Sequence, residues 1–167
     1  PAFFLTVTHA LSTAIILWTD KLFDERGQSG IFDFLVFVES NLSVFALEQL
    51  KRRKNYPEGH WMLDRDTITL QTVKADRERI KHLDCLRSVG IRRDKYHAHF
   101  DKEYFFDRNR LEDEAPLVRG DFEKVIEVLS DIVNQYSTAY DGNVFVLAPE
   151  NINDLDYLLN HIHKTMD

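Results

Sequence analysis

The chain has 167 residues, 44% of them hydrophobic and 12% aromatic, which suffices for one packed domain and excludes disorder as its main state. A formal net charge of −7 argues against a protein that coats nucleic acid along its whole surface and leaves room only for a local basic cleft. The single Cys85 cannot form an internal disulfide; it fits a reducing, cytoplasmic setting, with the thiol acting as a small core group.

The first stretch is apolar, with Phe4, Val7, Leu11, Ile15, Trp18 and Leu22 recurring at helical spacing. That period predicts a helix with a buried stripe. Thr6, Thr8, His9, Ser12 and Thr13 interrupt it. The apolar run from Phe3 to Trp18 falls short of the ~20 residues of a membrane span and lacks a signal peptide's basic flank and cleavage site. A core helix without membrane association is expected. Gly27-Gln28-Ser29-Gly30 ends it.

A second helix is expected through Phe32, Leu35, Val36, Phe37, Phe45, Leu47 and Leu50. It closes on Lys51-Arg52-Arg53-Lys54, a cationic run that suits the negative pole of a helix dipole and reads as a solvated end before it reads as a phosphate contact. Tyr56-Pro57-Glu58-Gly59-His60 reads as a loop. Asp66 or Thr67 is placed to cap a third helix carrying Ile68, Val73, Ile80, Leu83 and Leu86, with a break or kink at Gly90. Ile91 to about Asp101 continues as helix. Lys102 to Arg119 is the longest irregular connection, interrupted by Pro116. Its Tyr104, Phe105 and Phe106 are expected to pack in the core or at an interface before they stack on bases. Asp121 is placed to cap a well-patterned helix with Phe122, Val125, Ile126, Leu129, Ile132, Val133 and Tyr136. Tyr140 to Asn143 reads as a turn, Val144 to Leu147 as a short extended piece, and a last helix from about Asn153 carries Leu155, Leu158, Leu159 and Ile162. The whole predicts an all-α fold, an antiparallel four-helix bundle over about residues 3–140, with an appendage over about 141–167 that holds an additional C-terminal helix.

Chemistry concentrates in Arg92, Arg93, Asp94, Lys95, His97, His99 and Asp101. An Arg presents a fixed fork that fits a phosphate, and a His moves protons near neutrality. Together they can hold a phosphodiester and activate a 2′-hydroxyl without metal. From Lys74 to Lys95 there are eight basic and four acidic side chains, a local positive balance in an acidic protein. The plainer reading of the same residues is a surface ion pair and two exposed imidazoles. His97-Ala98-His99-x-Asp101 also has metal-ligand spacing, but its surroundings read as helix and only His161 and His163 follow. No metal and no cofactor are expected.

Arg93-Asp94-Lys95-Tyr96-His97-Ala98-His99-Phe100-Asp101 resembles the HEPN signature, an Arg, then a polar residue, then a His after four to six intervening residues. Its Arg-Asp-Lys and Ala-His-x-Asp form is most similar to the AbiU-type abortive-infection branch. The resemblance implies a HEPN-like four-helix bundle that forms a homodimer, the motifs of the two subunits meeting across the two-fold axis. It further implies a metal-independent ribonuclease of phage defence or of a toxin–antitoxin pair, with RNA (tRNA among the candidates) as substrate. Carried over by position, Arg93 would hold the phosphate, His99 would be general acid or base, and Asp94 would be the polar partner. Arg92, Lys95 and His97 are then substrate-binding candidates. An antitoxin or other partner protein is a further expectation. The alternative is a non-catalytic HEPN module that binds RNA, a nucleotide or a partner protein. Spacing leaves the pairing open, because Arg92–His97, Arg93–His99 and Arg92–His99 all fit. On an ideal helix Arg93 and His99 point about 120° apart, whereas Arg92 and His99 share a face.

Overall fold

A computed structural model of the chain describes residues 2–98, 101–147 and 157. The fold is all-α, and the described residues contain no strand. Two long helices, α1 (Ala2–Phe23) and α8 (Arg119–Asp141), frame shorter ones. These are α2 (Ile31–Ser40), α3 (Leu47–Lys54), α4 (Leu70–Lys81), α5 (Cys85–Arg92), α6 (Lys102–Phe106) and α7 (Arg108–Glu114). The main core is built by α2, α4 and α8 around Leu35, Val38, Val73, Ile80, Ile132 and Tyr136. Each comes from the apolar positions of a 3.6-residue period, and α8 buries Val125, Ile132, Tyr136 and Ala139 along one face. Asp76 is the buried charge of this core, and it is partnered: Tyr136 Oη donates to it at 2.8 Å and Gln135 Nε2 at 3.1 Å. Burial and that hydrogen bond push the Tyr136 phenol well above its ordinary pKa.

The α1 expectation needs correction. The helix forms over 22 residues and is long and apolar enough, by length and composition, to cross a membrane. The stripe of Phe4, Val7, Leu11, Ile15 and Trp18 is not buried, however; Leu11 is 60% exposed and Trp18 67%. Among the described residues, only Ile16 and Phe23 of α1 are fully buried. The periodicity correctly marks an apolar face, but the described elements pack on the opposite one.

Helix boundaries also differ from expectation. The expected second helix is three pieces, because Asn41 turns its amide back onto the Phe37 carbonyl (2.7 Å) and the chain passes through a 3-10 turn, Leu42–Phe45, before α3. Arg53, in the cationic run, is a tether: it donates to the carbonyls of Tyr140 (2.8 Å) and Val44 (2.7 Å) and lies over the Tyr140 ring. The α4 cap is Thr69, paired reciprocally with Thr72, rather than Asp66 or Thr67. The break expected at Gly90 falls at His82–Asp84 instead, and Gly90 lies within α5. Lys102 to Arg119 is not irregular: Asp101 and Asp107 accept from the backbone N–H groups of Glu103 (3.1 Å) and Arg110 (3.2 Å) and so start α6 and α7. Asp121 is not the residue before α8 but sits in its first turn, where it accepts the Val118 N–H at 2.9 Å. Val144 to Leu147 joins no sheet; Phe145 exchanges two hydrogen bonds with the Asn134 side chain (2.6 and 2.9 Å). The expected last helix lies outside the described residues, apart from Tyr157.

Candidate functional site

The site is the junction of α1 with the chain that follows α5. His9, Thr13, Ile16 and Asp20 are spaced four, three and four apart, so they share one face of α1. On a helical wheel that face lies roughly 170° from the exposed apolar stripe. It packs against α5 and against a π-helical turn, Arg93–Ala98, that carries most of the motif. A π turn widens the helix by one residue and is frequently found at functional sites. Angles taken from an ideal α-helix therefore do not hold across this segment.

The turn sends its side chains in different directions. Arg92, only 12% exposed, is turned toward α7; its Nε donates to the Ala115 carbonyl and its Nη2 to Glu112 Oε2, both at 2.6 Å. Those bonds tie α5 to a small second core of Tyr104, Leu111 and Ala115, against which Ile91 and Tyr96 pack. Arg93 turns the other way, toward α1. Its Nη1 lies 3.3 Å from Asp20 Oδ2, and its Nε lies 3.0 Å from Asp94 Oδ1. The second pair is close but poorly aligned, so the buried Arg93 Nε–H makes no hydrogen bond. Asp94 itself is exposed. Burial holds the Asp20 carboxyl above its ordinary pKa, against the pull of Arg93 and with help from the neighbouring Asp24 and Asp94 charges.

His97 lies farther along α1. Its Nδ1 is 3.1 Å from Thr13 Oγ1, its ring meets Tyr96 edge-on at 5.0 Å, and the His9 ring is 6.3 Å away. Burial pushes the His97 pKa down, and the nearby His9 and Arg92 push the same way, so the imidazole is neutral at pH 7. A cleft of about 490 Å³ opens here, lined by His9, Ser12, Arg92, Tyr96, His97 and Glu112 among others. Lys95 Nζ pairs with Asp101 Oδ2 at 3.4 Å and faces the Tyr104 ring. His99 lies outside the described residues, as does Phe100.

Of the residues singled out from sequence, Arg92, Tyr96 and His97 thus meet in one cleft. Arg93 and Asp94 gather at Asp20, whose position on α1 is seven residues, or about 10 Å, from Thr13. Sequence reasoning missed Asp20, His9 and Thr13 as members of the site. The signal available was a polar spacing of four and seven, His9, Thr13 and Asp20, on one face of an otherwise apolar helix. Among the described residues no three His, Cys, Asp or Glu side chains are grouped to hold a metal ion. The Cys85 thiol donates to the Asp121 carbonyl at 3.9 Å, and burial pushes its pKa up, the reverse of an activated nucleophile.

No curated protein and no solved structure gives a significant match to the chain. The family model described as AbiU2, a HEPN family, matches residues 1–161. With nearly the whole length matched, and an all-helical fold that presents Arg93 and His97 from one widened turn, the chain belongs to the AbiU2 family of HEPN domains.

Proposed function

We propose that this domain is a metal-independent endoribonuclease of an abortive-infection or toxin–antitoxin system, acting in the cytoplasm as a homodimer. The observation that carries the reading is Arg93. Its guanidinium is held by carboxylates, yet keeps a buried Nε–H with no hydrogen bond. A buried donor left unmatched is costly, and a phosphate oxygen satisfies it with a charge-assisted bond. In the reaction, a base takes the proton of the ribose 2′-hydroxyl, O2′ attacks phosphorus, the bond from phosphorus to O5′ breaks, and O5′ receives a proton. The products are a 2′,3′-cyclic phosphate and a 5′-hydroxyl. Arg93 offsets the charge that gathers on the phosphate oxygens, and His99 serves as acid or base. The neutral His97 imidazole is a second group able to accept a proton at pH 7.

Among the described residues the apolar stripe of α1 is left uncovered, which supports a second copy as partner, seated on the side of α1 away from the motif rather than with the two motifs meeting across the axis. A membrane suits that helix less well. Its opposite face carries His9 and Asp20 packed against the motif, and its only basic side chain is Lys21. The acidic net charge of −7 favours one rival, a non-catalytic HEPN module that binds a partner protein such as an antitoxin. Incubation of total RNA or a tRNA pool with the purified protein in EDTA separates the two. Cleavage by the wild type that is lost in Arg93→Ala and in His99→Ala supports the nuclease. Intact RNA with a folded wild-type protein, or 5′-phosphate products, sinks it.

A further inference from the structure

Asp20 is an odd residue for its place. It sits near the C-terminal end of an apolar helix, its side chain only 16% exposed, with its Oδ1 facing the side-chain-free side of Gly90 in α5, 3.8 Å from where a Cβ would stand. Burying a carboxylate is expensive, and even a paired one seldom improves stability over an apolar residue of similar size. Its partner is Arg93 Nη1, at 3.3 Å.

A guanidinium has two usable edges, and the side edge, formed by Nε–H and the nearer N–H of Nη2, is one that grips two oxygens of a phosphate in parallel. Asp20 approaches Nη1, the nitrogen that this side edge does not use. On the side edge, Nε faces Asp94, an exposed carboxylate that is out of line for a hydrogen bond to it and able to swing into solvent.

We propose that Asp20 is the positioning residue of the site: it fixes the Arg93 guanidinium from behind, through Nη1, so that the Nε–Nη2 edge faces the scissile phosphodiester. The proposal rests on the nuclease reading for its substrate, but the geometry it describes is testable without turnover. It gives the lone acid of α1 a function that neither packing nor the motif accounts for. It also explains why α1 must carry a polar face at all.

Two measurements on the full chain test it, each with Asp20→Ala and with the near-isosteric Asp20→Asn, whose amide oxygen can still accept from Nη1. The first is steady-state cleavage of a short RNA. Loss of orientation without loss of charge at Arg93 lowers kcat by roughly 10- to 100-fold in Asp20→Ala, with KM changed by less than about threefold. Asp20→Asn recovers much of that rate. Unchanged kcat in Asp20→Ala, or losses in both variants that merely follow their melting temperatures, overturns the proposal. The second is the NMR signal of the Arg93 Nε–H during titration with an RNA dinucleotide lacking the 2′-hydroxyl. It is expected to shift in the wild type and in Asp20→Asn, and to broaden or stay still in Asp20→Ala. An equal shift in all three proteins overturns the proposal. If the wild type cleaves no RNA, the nuclease reading falls, while the NMR titration still decides the role of Asp20.

Discussion

With the proposed homodimer seated on the exposed stripe of α1, replacing Trp18 with Ser should convert it to a monomer without unfolding it. Trp18 is 67% exposed, so a partner that covers it removes roughly 150 Å² of side chain from water per copy. At about 25 cal/mol per Å², that is ~4 kcal/mol per copy, counted twice in a two-fold interface. Allowing for incomplete coverage and for the surface Ser retains, half of the total is a fair expectation. A loss of ~4 kcal/mol weakens dimerisation by about 1000-fold. The whole stripe of Phe4, Val7, Leu11, Ile15 and Trp18 leaves on the order of 500 Å² per copy, so two copies reach the ~1000 Å² that a specific interface needs. Because the side chain touches little of its own subunit, the helix content and the melting of the monomer should barely change. Sedimentation velocity from 1 to 100 µM, on wild type, Trp18→Ser and Leu11→Lys, reads the association directly. A monomeric wild type at the highest of these concentrations, or a dimer equally tight in all three proteins, would refute the argument.

Three further outcomes follow from the same geometry. Arg92→Ala should free the α6–α7 unit, because it deletes the bonds to the Ala115 carbonyl and to Glu112; hydrogen exchange over residues 102–115 should quicken, whereas Arg93→Ala should leave those amides unchanged. Tyr136→Phe removes a donor from buried Asp76 and should cost about 1–3 kcal/mol in urea unfolding, with no change in slope. The folded state holds the His97 pKa below the unfolded value of about 6.5, so it binds fewer protons than the unfolded chain between those two values. Stability from His97 is therefore present above pH 6.5 and lost as pH falls toward the folded pKa. Melting temperatures between pH 5 and 7.5 should decline toward acid in the wild type and less steeply in His97→Gln.

Legibility in the sequence depended on what kind of physics each element uses. The helix of Val125, Ile132 and Tyr136 announced itself because its apolar period runs for about four turns and the same face is buried. The stripe of Phe4, Leu11 and Trp18 gave an equally clear period and led to the wrong burial, since a period reports which residues avoid water and not what covers them. Breaks at Asn41 and at His82–Asp84 carry no Pro or Gly. They are set by a side-chain-to-backbone bond in one case and by Leu83 dropping into the core in the other. The motif was found because its charged and imidazole groups are dense. Which of Arg92 and Arg93 faces α1 was not readable, since adjacent helical residues point about 100° apart and no spacing rule says what packs on either side. Asp20 stood alone in the sequence, 73 positions from the Arg it meets, as 93 minus 20 gives.

With the proposed dimer and RNA site, the two faces of α1 would tie two equilibria together. One helix bears the exposed apolar stripe on one face and, on its reverse, the carboxylate paired with Arg93. If docking on the apolar face shifts the helix by even a fraction of a turn, Asp20 moves with it. Thermodynamic linkage then requires reciprocity: whatever factor association adds to RNA affinity, RNA adds to association. Where that factor exceeds one, occupancy of the site by RNA would climb with the concentration of the chain itself.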